Sequence, residues 1–158
     1  MITVAVAGGF DPVHGGHLAH LLAARYLGDR LVVLLNCDDD MRRKKGYCFL
    51  PFKDRAAILQ ELRCVDEVRE ISDRDGSCGR ALAELRPGIF AKGGDRGPTN
   101  MPQNELDICR DLGIQIVYGV GGDKVQSSSE LVQKAVGKAL VINPSDFRHP
   151  KWMFQRGP

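Results

Sequence analysis

The sequence carries little net charge: 22 Lys and Arg stand against 20 Asp and Glu, leaving +2. That excludes a broad field for gripping nucleic acid or an anionic membrane, so any anion must be held locally. The five cysteines, at 37, 48, 64, 78 and 109, are odd in number and include no Cys-x-x-Cys pair. No disulfide framework is readable, as expected of thiols in a reducing compartment. The longest aliphatic run, 31–35, falls far short of the roughly 20 apolar residues a membrane span needs. No basic region precedes it, so a cytoplasmic protein is expected. Two common phosphate loops are also missing. There is no Gly-x-x-x-x-Gly-Lys-Ser/Thr, and 119–124 fails Gly-x-Gly-x-x-Gly at its last position.

What is present is an ordinary globular balance, 43% hydrophobic and 27% charged over 158 residues, enough for one core and too little for two. Glycine is in excess at 18, about 11% against an average near 7%. Pairs at 8–9, 15–16, 93–94 and 121–122 would let backbone approach a ligand closely. Residues 1–7 and 31–36 read as buried strands, and helical spacing begins at His17. A basic loop at 42–46 is expected next, then a helix over 53–63 and a strand over 65–71. A helix over 79–85, a strand over 88–91, a helix over 104–112 and a strand over 114–118 follow. Ser127, Ser128, Ser129 and Glu130 supply hydroxyl caps and an acid for one more helix. The alternation predicts a single α/β, Rossmann-like doubly wound domain over 1–142, with about five mainly parallel strands and ligands at their carboxyl ends. A tail over 143–158 is expected to pack on a partner subunit or to dangle.

The most informative stretch is 8–17, Gly-Gly-Phe-Asp-Pro-Val-His-Gly-Gly-His, joining the first strand to the first helix. Glycines in a strand-to-helix turn admit a phosphate, and the helix start offers unpaired N–H groups and a favourable dipole. His14 and His17 add donors that can follow charge moving between phosphate oxygens. Two competing readings are a metal site from His14, His17 and His20, and histidines that are merely structural. No nearby carboxylate or thiol completes a recognised ligand set, so no protein metal ligand is assigned.

Gly8, Phe10, Asp11, Pro12, His14, Gly16 and His17 resemble the G-x-F-D-x-x-H-x-G-H signature of the HxGH nucleotidyltransferases. Seven such positions arise by chance in on the order of one window in a billion. The resemblance extends to about residue 131. Lys44 and Lys45 fall where that family places a mobile lysine loop reaching the triphosphate. Arg55 resembles its helix arginine, and 126–129 resembles its I-S-S/T-S/T motif. The segment 90–95, Phe-Ala-Lys-Gly-Gly-Asp, is similar to that of heptose-1-phosphate adenylyltransferases, as is 55–68. Arg96 replaces the aromatic usual there. Glycerol-3-phosphate cytidylyltransferases are similar in size, HxGH loop and lysine loop, but their R-T-E-G-I-S-T-T segment is replaced by 124–129. Phosphopantetheine adenylyltransferase is similar in the serine motif. A class I aminoacyl-tRNA synthetase shares the HIGH-like turn, but 158 residues leave no room for anticodon reading.

The resemblance implies transfer of a nucleoside monophosphate from ATP or CTP to a small phosphorylated acceptor, with AMP and a sugar phosphate preferred. Magnesium would come mainly bound to the triphosphate. It implies catalysis by His14, His17 and Lys45. Nucleotide contacts are expected from Gly8, Gly9, Phe10, Gly16, Lys44, Gly93, Asp95, Lys124, Ser127, Ser128 and Ser129. Acceptor contacts are expected from Asp11, Asp38, Arg55 and Lys92. Asp11 has an alternative as an Asx turn, the basic run as a solvated segment, and the serines as a helix cap only. A homo-oligomer, such as a dimer, is the expected assembly. A nucleotide-binding sensor without turnover is the contrasting class.

Overall fold

A computed structural model describes residues 1–71, 73–94, 96–123 and 126–139. Leu31, Val32, Val33, Leu34 and Leu35 are all fully buried, which a strand achieves only with helices on both faces. They belong to β2 (Arg30–Asn36), which lies between β1 (Thr3–Gly8) and β3 (Glu67–Ile71). Beyond β1 come β4 (Ile89–Ala91) and β5 (Gln115–Val117), giving the order β3-β2-β1-β4-β5. Every pairing is parallel, with Val4 opposite Leu31 and Ile89, and Val33 opposite Val68. The expectation of about five mainly parallel strands is met by five that are all parallel.

The period-two alternation of a strand divides the core. Val4, Val6, Leu31, Val33 and Leu35 pack with Leu21 and Ala24 of α1 (Gly15–Arg25) and Leu59 of α3 (Phe52–Gln60). Ala5, Val32, Leu34 and Phe90 pack with Leu82 of α4 (Gly79–Leu85) and Cys109 of α5 (Gln103–Leu112). Strand order reverses between β1 and β4, so a crevice forms outside their carboxyl ends, the position that ligands occupy in open α/β sheets.

One expected element is corrected. The basic segment is no loop but the last turn of α2 (Asp38–Lys45). Asp38, Asp39 and Asp40 fill its first turn and Arg42, Arg43, Lys44 and Lys45 its last, so both ends complement the helix dipole. Arg42 pairs with Asp39 at 3.0 Å and Arg43 with Asp40, one turn apart. Gly46, at φ 82°, ends the helix in the left-handed conformation. Helix α1 starts two residues earlier than its apolar spacing predicts, because His14 caps it.

The sheet belongs to a unit spanning Met1–Ser128. Ser128 opens α6 (Ser128–Ala139), whose remainder begins the second unit, Ser129–Pro158. The expected tail at 143–158 lies outside the described residues. Among the described residues no helix is long and apolar enough to cross a membrane.

Candidate active site

The turn after β1 is built around His14. Its backbone is extended (φ −144°, ψ 174°), and its Nδ1 accepts N–H bonds from Gly16 at 3.1 Å and His17 at 3.4 Å. His17 reciprocates: its Nδ1 accepts the His14 N–H at 3.3 Å. This is a capping box made of two imidazoles. The rings stack at 3.8 Å between centroids and 24° between planes. Gly16 is needed because a Cβ there would stand 3.1 Å from His14 Cε1. Phe10, buried and held at φ 49°, places its ring 4.8 Å from that of His17.

The caps have a chemical consequence. A backbone N–H can only donate, so both Nδ1 atoms are acceptors and the neutral rings carry their protons at Nε2. The loop thus fixes the tautomer of both histidines. His20 takes the opposite form, its Nδ1–H donating to the Val120 carbonyl at 2.8 Å. It serves as a tie between α1 and the segment after β5, not as part of the His14–His17 pair. Among the described residues, no three His, Cys, Asp or Glu are grouped to hold a metal ion.

One further expected segment reaches this turn. Ser128 Oγ donates to the Pro12 carbonyl at 2.9 Å, joining the start of α6 to the same turn. Ser127 precedes it, half-buried, and Ser129 falls in the second unit. Beside β1, the 93–94 turn touches the loop after β5. Val120 N–H donates to the Lys92 carbonyl at 2.9 Å, and a Cβ on Gly94 would meet the Gly122 carbonyl oxygen at 2.3 Å. Gly8 and Gly9 lie against Phe10 and Met41, where added Cβ atoms would come within 3.0 and 2.6 Å of those side chains. Lys44 and Lys45 end α2, both exposed. Asp95 and Lys124, also expected to touch nucleotide, lie outside the described residues.

The four expected acceptor residues all make polar contacts within the protein. Asp11 is fully buried, and its oxygens accept the Phe49 and Leu50 N–H groups at 2.7 Å each. Arg55 is fully buried too, donating to the carbonyls of Gly9, Asn36 and Leu50 at 2.8 to 2.9 Å and to Asp38 at 2.7 Å. Burial pushes the Asp38 carboxyl up, but bonds from Arg55, Cys48 and the Phe52 backbone outweigh it and hold it below its usual range. Lys92 pairs at 3.3 Å with Glu105, which is itself buried and accepts the Cys78 N–H at 3.1 Å. The polar atoms of Asp11, Arg55 and Lys92 are thus engaged by other parts of the protein. Glu105 is the residue that sequence reasoning missed, since an acid in the first turn of a helix reads as a dipole partner. Burial drives the nearby Cys109 thiol up to about 11 and raises that of Cys78 well above normal, with the Glu105 carboxylate adding to both.

A parallel five-stranded sheet, a glycine turn at the carboxyl end of β1 and a tautomer-locked histidine pair at a helix start define an α/β protein with an HxGH turn. The chain belongs to the cytidylyltransferase-like family, whose model matches residues 5–139. It is 41% identical over 138 residues to the bifunctional protein HldE of Streptomyces coelicolor, covering 85% of this chain and 29% of that protein. Against HldE of Erwinia tasmaniensis it is 37% identical over 122 residues, 76% of this chain and 23% of that one. The chain therefore spans under a third of the length of these relatives. Among solved structures it is similar to a lipopolysaccharide core biosynthesis protein from Thermoplasma volcanium. There the TM-score is 0.62 and the identity 29%, over 75% of this chain and 93% of that one.

Proposed function

We propose that this chain transfers a nucleoside monophosphate, with AMP preferred, from a magnesium-bound nucleoside triphosphate to a sugar phosphate, releasing pyrophosphate. The observation that carries this reading is the His14–His17 capping box, which fixes two Nε2–H donors at the N-terminus of α1. The acceptor needs no general base, because a phosphate monoester with a second pKa near 6 is largely dianionic at neutral pH. One of its oxygens bonds to the α-phosphorus as the bond from that phosphorus to the β-bridging oxygen breaks. Pyrophosphate leaves with the electron pair.

In this reading His14, His17 and Lys45 stabilise the charge that grows on the α-phosphate oxygens. Lys44 meets the triphosphate. Ser128 commits its hydroxyl to Pro12, so its contribution to the pyrophosphate end is a backbone N–H at the start of α6, with Ser127 beside it. Gly93 and Gly94, against the loop after β5, form a backbone wall for the base. Asp38 faces the acceptor, and the internal ties of Lys92 and Arg55 shape that side of the crevice. The sequence likeness of 90–95 and 55–68 to heptose-1-phosphate adenylyltransferases favours ATP and a sugar phosphate.

A matrix of ATP and CTP against heptose 1-phosphate, glycerol phosphate and phosphopantetheine, read as pyrophosphate, tests the reading. ATP with a sugar phosphate is expected to dominate. A dominant CTP signal overturns the choice of base. Nucleotide binding with no pyrophosphate under any pairing identifies a sensor.

A further inference from the structure

Asp11 and Arg55 tie together segments that are distant in sequence. An Asx turn would bond Asp11 to its own neighbours, yet its partners are Phe49 and Leu50, 38 and 39 residues away. Both belong to the 46–51 connection between α2 and α3. From the other side, the Arg55 guanidinium holds the Leu50 carbonyl of that connection together with Gly9, Asn36 and Asp38. One fully buried cation therefore clamps the end of β1, the end of β2 and the start of α2. Cys48 adds a thiol shared between Asp38 at 3.3 Å and the Leu50 carbonyl at 3.0 Å.

We propose that Asp11 and Arg55 are positioning residues which, through the 46–51 connection, set the lysine end of α2 relative to the His14–His17 pair. This rests on the nucleotide-transfer reading above. Asp11 lies three residues before His14, and Lys45 lies four before Phe49. At no more than about 3.6 Å per residue, the chain from the pinned Phe49 amide reaches about 14 Å at most. Pinning that amide to the histidine loop therefore bounds where Lys45 can stand. An ionised Asp suits the task because it offers two acceptor oxygens to two N–H donors. Asn would turn an NH₂ toward one of them.

The test compares the whole protein with Asp11→Asn, Lys45→Ala and the double variant, using backbone hydrogen exchange and calorimetric titration with Mg·ATP. Asp11→Asn is expected to speed exchange about tenfold at Phe49, Leu50 and 42–46 while leaving α5 unchanged. It weakens Mg·ATP binding by about tenfold. In the Lys45→Ala background the same change adds no more than about twofold, because the two residues act in series. Unchanged exchange at 42–50, or losses that multiply in full in the double variant, overturns the proposal. Arg55→Lys keeps the charge without the fork and must give the same pattern, so a poorly folding Asp11→Asn does not shield the idea. If wild type fails to bind Mg·ATP, the nucleotide reading falls, and the exchange measurement alone upholds or refutes the tie.

Discussion

His14 serves two functions whose requirements differ. As a cap it needs an acceptor two bonds from Cβ, which Asn also supplies; as a donor toward phosphate it needs Nε2, which Asn lacks. His14→Asn is therefore expected to keep the melting temperature within about 2 °C while turnover falls by roughly 10²–10³-fold. His14→Ala loses both, with about 1 kcal/mol of stability gone; thermal denaturation and pyrophosphate release separate the two effects. Asp38 gives a pH-dependent case. Its folded carboxyl titrates below the ordinary value of 3.8, so its contribution is complete above 3.8 and disappears as pH falls through the lower folded value. Asp38→Asn should cost roughly 1–3 kcal/mol, mainly by depriving buried Arg55 of its counter-charge. Urea unfolding of the two proteins should show a level gap from about pH 5 to 7 that closes only below the normal carboxylate pKa.

Among the elements, α2 shows why sequence periodicity can mislead. Its eight residues include one buried apolar side chain, Met41, so no hydrophobic stripe announces a helix. Acid-first and base-last ordering with the Gly46 stop does the work instead. The strands and the remaining helices were legible, because their apolar runs and turn residues agree with local propensity. The contact between the 93–94 turn and the loop after β5 was not legible, since glycine pairs reveal room and not what fills it. Here the filler is backbone. Gly94→Ala would force Gly122 aside from 2.3 Å, at an expected cost of about 1–3 kcal/mol. The KM for nucleotide should rise with kcat less affected if that wall faces the base. Steady-state kinetics together with melting curves decide this.

For the whole molecule, the sheet is the platform that sets every loop at its carboxyl edge. Leu34 is fully buried on the α4–α5 face, away from the HxGH turn. Leu34→Ala is expected to destabilise by about 2–5 kcal/mol, with turnover per folded molecule retained; denaturant unfolding and activity normalised to folded protein check it. The parallel α/β class, the order of the strands and of the helices other than α2, and the His14–His17 motif were determined by sequence alone. Each is a local pattern: a buried run, a turn, a spacing of three residues. Only tertiary structure decided what Asp11, Arg55, Lys92 and Glu105 do. Apart from the Leu50 carbonyl, five residues from Arg55, their side-chain partners lie from 13 to 46 residues away in the chain, and polar residues that seek neighbours across such separations leave no periodicity to read. Burial made the choice, because a carboxylate or guanidinium withdrawn from water must be satisfied by whatever donors and acceptors the fold brings beside it.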